Sequence, residues 1–365
     1  MTRLVPLHGG QLQQIAEAFG IPVSDILDFS ANINPEGPPA AVVSTLRESL
    51  DDPSVLTHYP EIGESALRNA IARYTGVSSE NIAVANGFVP LLESALCALS
   101  IRECLLPVPA FVEYRRTLAR ARVGAISHVL TPESGFSYDI DALLSGSHDA
   151  VLLANPQNPS GILCGRDVLL ELTAKAAGRN IYILLDEAFI DYCPQSSLTQ
   201  EINRFSNLIV LRSVTKFFGI PGLRVAYAVA NSNASVALQE ATAPWSITTL
   251  ASRAVCAALS DKEYSNHSRM LNQDRRARLR KNLEALALCT ESSAANFLLF
   301  RLPPYLDADE FWKRMILDHQ IVLRQCANYD GLPDGYLRAA VRNDQENARL
   351  VEALAQTLAR WNAKQ

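Results

Sequence analysis

Apolar positions in the middle of the chain fall into short unbroken runs separated by stretches with helical spacing. VLLAN (151–155), IYILLDEAF (181–189), NLIVLRS (207–213) and VAYAVA (225–230) are such runs. Between the first two, DVLLELTAKAAGRN (167–180) repeats its apolar residues at helical intervals. A run that is apolar at every position, not at every second one, is buried on both faces. Runs of this kind alternating with helices predict an α/β fold, a central, mostly parallel sheet covered by helices on both sides. Polar residues close three of the runs: Asn155 and Asn158, then Asp186, then Ser213 with Lys216. Open α/β sheets bind their ligands outside the carboxyl ends of the strands. Three polar clusters on that edge therefore predict one site.

Downstream the pattern changes. Residues 250–290 are rich in Ala, Leu, Arg and Lys at helical spacing with i,i+4 charges, which predicts one long helix or two. NFLLFRL (296–302), ADEFWKRMILDHQ (308–320), IVLRQ (321–325) and YLRAAVR (336–342) predict a strand, a helix and two strands, followed by a last helix. This is a smaller α+β domain, which the first 45 residues, with their turn-rich NINPEGPP, are expected to join. The expected division is a large domain at 46–245 and a small domain formed by 1–45 plus 246–365.

Composition narrows the function classes. The 365 residues are 48% apolar and 19% charged, a globular balance. The net charge, 33 − 38 = −5, disfavours nucleic acid or an anionic membrane as the main partner. Seven scattered cysteines without a CxxC pair read as reduced thiols of a cytoplasmic protein. The first residues lack the apolar core of a signal peptide, and no window reaches the length of a membrane span.

The stretch LRSVTKFFGIPGLR (211–224) carries the chemistry. Lys216 sits between an apolar run and two phenylalanines, and a buried unpaired lysine is costly. Either its charge reaches water or a partner, or its pKa is pushed down and it works as an amine. Ser213 and Thr215 lie just before it, and Arg224 returns beyond a Gly-Ile-Pro-Gly turn. An amine flanked by hydroxyls and a guanidinium suits a phosphorylated carbonyl compound, the amine forming a Schiff base while Ser and Arg grip the phosphate. Asp186 could hold a ring nitrogen in its protonated state, the partner that pyridoxal phosphate needs. Taken singly, these residues have plainer readings: a solvated lysine, a helix-capping aspartate, a tight turn at NPQNPSG.

Taken together, SVTK-x7-R, DEAF and NPQNPSG resemble the fold type I pyridoxal-phosphate enzymes of the aspartate aminotransferase superfamily. The segments LHGGQLQQIAEAFGI, LDFSANINPEGPP, HYPE, PAFVEY, ILLDEAFIDY, PWSI, RQCANYDGL and YLRAAVR extend the likeness over nearly the whole chain. They resemble the branch that holds histidinol-phosphate aminotransferases and the threonine-phosphate decarboxylases of cobalamin synthesis. The resemblance implies a cytoplasmic homodimer with shared active sites, using pyridoxal 5'-phosphate on a small amino-acid substrate. It implies that Lys216 holds the cofactor as a Schiff base and shuttles protons, and that Asp186 pairs with the ring nitrogen. Asn158 would bond the ring's 3-oxygen and Phe111 would stack on its face. Ser213, Arg224 and the amides near Gly87 and Phe88 would bind its phosphate, with Tyr59 reaching it from a second subunit. Arg338 would take the substrate α-carboxylate, and His8, Asn32 and Arg324 the remainder, including a phosphate.

Two departures bear on the reaction. Phe189 stands where many aminotransferases of this fold carry a tyrosine whose hydroxyl bonds the 3-oxygen, and DEAFID resembles the decarboxylases more. ANGFVPLLES (85–94) replaces a Gly- and hydroxyl-containing phosphate cup, and Pro90 offers no N–H. The expected reaction is decarboxylation of an O-phosphorylated amino acid, threonine phosphate or an analogue. An aminotransferase of the histidinol-phosphate type is the alternative enzyme. A ligand-sensing regulator on the same fold is disfavoured because only about 30 residues precede the family motifs, and a purely structural protein would have no use for Lys216, Asp186, Asn158 and Arg224 together.

Overall fold

The computed structural model describes residues 6–362. After a short strand β1 (Leu27–Asp28), seven strands build the large sheet: β2 (Ile82–Ala85), β3 (Glu103–Val108), β4 (Gly124–Val129), β5 (Ala150–Ala154), β6 (Tyr182–Asp186), β7 (Leu208–Ser213) and β8 (Ala226–Val229). Their order is β2-β8-β7-β6-β5-β3-β4, with β8 antiparallel to both neighbours and the other pairs parallel. The four apolar runs of the sequence are β5 to β8. Each side of the sheet has its own core, and successive strand residues alternate between them. Val151, Leu153, Ile183, Leu185 and Val210 face one, and Leu152, Leu184, Ile209 and Leu211 face the other. Burying each such side chain is worth about 2 kcal/mol, so both faces must stay covered, and the helices between strands supply that cover.

The edge strand β4 escapes the run-based reading. Its residues are exposed or half-buried throughout, so it carries no apolar signature. β7 contains a charged residue, Arg212, with its guanidinium fully inside. The group is tolerated because it ion-pairs with Asp191 and faces Glu187 at 3.9 Å.

The small domain is antiparallel. β9 (Cys289–Thr290), β10 (Phe297–Arg301), β12 (Arg324–Gln325) and β13 (Tyr336–Ala340) stand in the order β12-β13-β10-β9, while β11 (Ile321–Val322) pairs in parallel with β1. That pairing ties the N-terminal segment to the small domain, whose core joins Ile15, Leu27 and Phe29 to Phe311, Trp312 and Met315. Residues 250–290 form two helices, Thr249–Ser260 and Lys262–Ala285. Asp261 separates them and caps the second through the Tyr264 amide at 2.9 Å. The first of these, and the helix Ala40–Leu50, pack on the large sheet through Val42, Ala251 and Val255. These two helices, which reach beyond 46 and 245, share the large sheet's core. Among the described residues, no helix is long and apolar enough to cross a membrane.

Candidate active site

A cavity of about 480 Å³ lies where the carboxyl ends of the large-sheet strands meet the small domain. The three strand-end clusters converge on it: Asn158 after β5, Asp186 ending β6, and Ser213 with Lys216 after β7. Arg224, Phe111 and Phe88 line it from the same domain, Asn32 and His8 from the N-terminal segment, and Arg324 and Arg338 from β12 and β13. The lysine-bearing turn is held from outside by Asn34, whose amide donates to the Lys216 carbonyl at 3.0 Å and whose Nδ2 donates to the Phe217 carbonyl at 2.8 Å.

Lys216 works under conditions unlike those of a surface lysine. Among the described residues, its Nζ has one hydrogen bond, to Thr215 Oγ1 at 3.4 Å. Burial lowers its pKa to about 8, with the Arg224 and Arg338 guanidiniums adding to the effect and Asp186 opposing it. Asp186 is buried and pushed up to about 6 by desolvation, against the pull of the Tyr114 hydroxyl, the Ala188 amide and Lys216. The amine is thus a usable nucleophile near neutral pH, and above about pH 6 the carboxylate carries its charge.

The three guanidiniums of the cavity share one property: among the described residues, every acceptor they meet is a neutral oxygen. Arg224 donates to the Pro221 carbonyl at 3.3 Å. Arg324 donates to the carbonyls of Pro6 and Leu7 at 2.9 Å, of Gln325 at 2.7 Å, and to Asn328 Oδ1 at 2.8 Å. Arg338 donates to Asn158 Oδ1 at 2.5 Å, the Tyr329 hydroxyl at 3.1 Å and the Ser30 carbonyl at 3.3 Å. Arg324 and Arg338 are buried, and buried cations without an anionic partner are costly, whereas Arg224 is exposed at the cavity's rim; a ligand with several negative groups would answer all three.

One end of the cavity suits a phosphate. The helix Phe88–Ala98 opens there, and the first-turn amides of Phe88 and Val89 precede its internal ladder. Pro90 removes a third donor, so the departure seen in the sequence leaves a cup with fewer amides. Gly87 caps the helix at φ 93°, and a Cβ on it would meet Arg224 Nη2 at 3.0 Å. Only glycine lets the guanidinium come so close. Ser213 Oγ and Thr215 Oγ1, 2.8 Å apart, complete the hydroxyl side.

Other positions resolve as follows. His8 Nε2 lies 3.0 Å from Glu113, and burial lowers its pKa while Glu113 opposes the shift. Tyr59 is not part of this chain's cavity: it is 81% exposed, beside Trp245. Arg342 is bound to Glu346 at 2.8 Å and belongs to the small domain's framework. Phe189 borders the cavity and packs edge-on against Phe297 at 5.0 Å. Two tyrosines went unnoticed in the sequence. Tyr114 donates its hydroxyl to Asp186, and the Tyr329 hydroxyl lies 3.3 Å from Asn158 Oδ1. They sit in PAFVEY and RQCANYDGL, but nothing in their spacing announces a partner so distant in sequence.

A strand-end lysine with a lowered pKa, a buried acid across from it and a basic cradle at a helix start are groups able to hold a phosphorylated aromatic cofactor through an amine. The chain belongs to the aminotransferase class I and II family, whose model matches residues 24–354, and it has the family's fold type I architecture and pyridoxal 5'-phosphate dependence. It is 34% identical over 357 residues to threonine-phosphate decarboxylase of Salmonella typhimurium, with 96% of each chain covered. It is 29% identical to histidinol-phosphate aminotransferase of Methylobacillus flagellatus, covering 96% of this chain and 94% of that one. The structure of histidinol-phosphate aminotransferase from Sinorhizobium meliloti in complex with pyridoxal-5'-phosphate superposes with a TM-score of 0.85 at 21% identity, over 99% of both chains. The residues present fit the cofactor and its substrate: Gly87 forms a cradle that a Cβ would fill, meeting Arg224 Nη2 at 3.0 Å, and, among the described residues, Asn32 Oδ1 and Arg338 Nε are buried polar atoms without a hydrogen-bond partner, in side chains that line the cavity.

Proposed function

We propose that this enzyme decarboxylates an O-phosphorylated L-amino acid, with L-threonine O-3-phosphate as the first candidate and (R)-1-aminopropan-2-yl phosphate plus CO2 as products. The observation that carries the reading is the set of three cavity guanidiniums that, among the described residues, meet neutral acceptors alone. Three anions answer them: the cofactor phosphate at Arg224, the substrate α-carboxylate at Arg338, and a substrate phosphate at Arg324 with His8 and Asn32. When bound, pyridoxal phosphate supplies an electron sink for the bond that breaks at Cα. Lys216 holds the cofactor and later delivers a proton to Cα. Asp186 keeps the ring nitrogen protonated, Asn158 bonds the 3-oxygen, and Phe111 covers the ring. Ser213, with the amides of Phe88 and Val89, grips the phosphate beside Gly87.

Which bond at Cα breaks would depend on how this chain's residues orient the substrate on the bound cofactor. A substrate anchored at both Arg338 and Arg324 has its backbone orientation set by two points. Arg338 and Arg324 would thereby decide between loss of CO2 and loss of the Cα proton, the first giving decarboxylation and the second transamination. Two observations favour decarboxylation. The 34% relative is a decarboxylase, and Phe189 brings no hydroxyl to the cavity wall. The 29% relative supports the second reading, an aminotransferase of the histidinol-phosphate type.

Single-turnover assays of cofactor-loaded protein separate the two. L-threonine O-3-phosphate, L-serine O-phosphate and L-histidinol phosphate are each supplied, and CO2 and the cofactor spectrum are read together. CO2 with an unchanged spectrum is expected; conversion to pyridoxamine phosphate without CO2 would overturn decarboxylation. The working unit of this reading is a cytoplasmic homodimer in which Tyr59 reaches the neighbouring cofactor phosphate. A strictly monomeric active species in sedimentation would contradict it.

A further inference from the structure

Tyr114 touches three parts of the cofactor end of the site at once. It is wholly buried in the first turn of the helix Val112–Arg120. Its hydroxyl donates to Asp186 Oδ2, while Asp186 Oδ1 accepts the Ala188 amide at 2.8 Å. Its ring stands edge-on to Phe111, with centroids 5.6 Å apart at 90°, and lies 6.0 Å from Phe88. One side chain thus joins the acid, the ring-covering aromatic and the residue that opens the phosphate cup.

We propose that Tyr114 is a positioning residue: its hydroxyl holds the Asp186 carboxylate in one orientation and in its ionised form, and its ring sets the tilt of Phe111. The proposal rests on the reading of Asp186 as the partner of the cofactor ring nitrogen. A carboxylate can turn about its Cβ–Cγ bond unless both oxygens are engaged. Here one oxygen is taken by the backbone and the other by Tyr114, so the carboxylate faces the cavity at a set angle. The same bond works on charge. Burial drives Asp186 toward its neutral form, and the Tyr114 hydroxyl is the foremost group opposing that. Burial, with the Asp186 charge, pushes the Tyr114 hydroxyl well up, so it remains a donor across the working range. The titratable groups facing the pair are Lys216 on the Asp186 side, and Tyr138 and Tyr329 on the Tyr114 side. Lys216 favours the ionised carboxylate too, but it is engaged with the cofactor in the loaded enzyme.

The test is the affinity of the full chain for pyridoxal phosphate, measured by equilibrium dialysis from about pH 5 to about pH 9, around the ordinary range of a perturbed carboxylate. Tyr114→Phe keeps the ring and its contacts and removes only the donor. It is expected to weaken binding about tenfold at neutral pH, the effect of losing one hydrogen bond to a charged group. The acid limb of the affinity profile should move to higher pH, because the carboxylate then protonates sooner. In an Asp186→Asn background the same substitution should do neither, since the charge it serves is gone. An unshifted acid limb in Tyr114→Phe, or losses that add in the double variant, would overturn the positioning role while leaving Asp186 as the ring partner. Unaltered affinity in Asp186→Asn alone would overturn both assignments together. Denaturant midpoints of the variants show whether the fold is kept. Tyr114→Leu, which also removes the ring contact, is expected to disturb the visible circular dichroism of the bound cofactor, whereas Tyr114→Phe is not; an undisturbed Leu variant would remove the claim about Phe111.

Discussion

Replacing Lys216 by methionine is expected to make the cofactor-free protein more stable at neutral pH. Burial and Arg224 lower the pKa of Lys216 from its ordinary 10.5 to about 8. At about 1.36 kcal/mol per pH unit that shift corresponds to roughly 3 kcal/mol. The amine faces a cavity open to water, so the cost to the fold is about 1–3 kcal/mol. Below pH 8 the folded and unfolded chains both carry the proton, and the full cost of a charged buried amine applies. Between pH 8 and pH 10.5 the unfolded chain binds the proton and the folded chain does not, so the stability of the native protein rises with pH through this window. Above pH 10.5 both states are neutral and the cost is gone. Methionine has a similar length and no charge, and it removes the cost everywhere. Denaturant midpoints of the two cofactor-free proteins across this range are the assay. The variant should lead by about 1–3 kcal/mol at neutral pH, with the lead vanishing at the alkaline end. A native protein more stable than the variant at neutral pH, or a gap that ignores pH across the window, would refute the reading of Lys216 as a buried charged amine. The trade itself is ordinary: a group poised for chemistry weakens the fold that holds it.

Two further substitutions address the anion sites. Arg338→Met should lower kcat/KM by about a hundred- to a thousandfold for every substrate, since a desolvated carboxylate would lose its charged partner. Arg324→Met should cost as much only with phosphorylated substrates; equal losses with L-threonine and its phosphate would remove Arg324 from substrate recognition. Gly87→Ala places a Cβ at 3.0 Å from Arg224 Nη2 on a backbone at φ 93°, so the guanidinium must retreat from the phosphate cup. Cofactor affinity is expected to fall about tenfold, a loss of about 1.4 kcal/mol, and an unchanged dissociation constant would show that Arg224 does not serve the phosphate.

How far the sequence reached depended on how local each signal was. Strands β5 to β8 were legible because a strand covered on both faces is apolar at every position. The convergence of Asn158, Asp186 and Lys216 was legible because each closes such a strand, and parallel strands end on one edge. The edge strand β4 was not, because a strand exposed to water needs no apolar pattern. The break at Asp261 left one helix or two open, since both readings share the same periodicity. What only the tertiary structure decided are the pairings across long sequence distances. Tyr114 meets Asp186, Arg338 meets Asn158, Arg324 meets the carbonyls of Pro6 and Leu7, and Arg212 finds Asp191 inside the sheet's flank. Spacing along a chain specifies which residues share a face of one element. Which face of another element they meet is set by how the two cores close on each other, and that is where the cavity's charge balance and the orientation of its acid are determined.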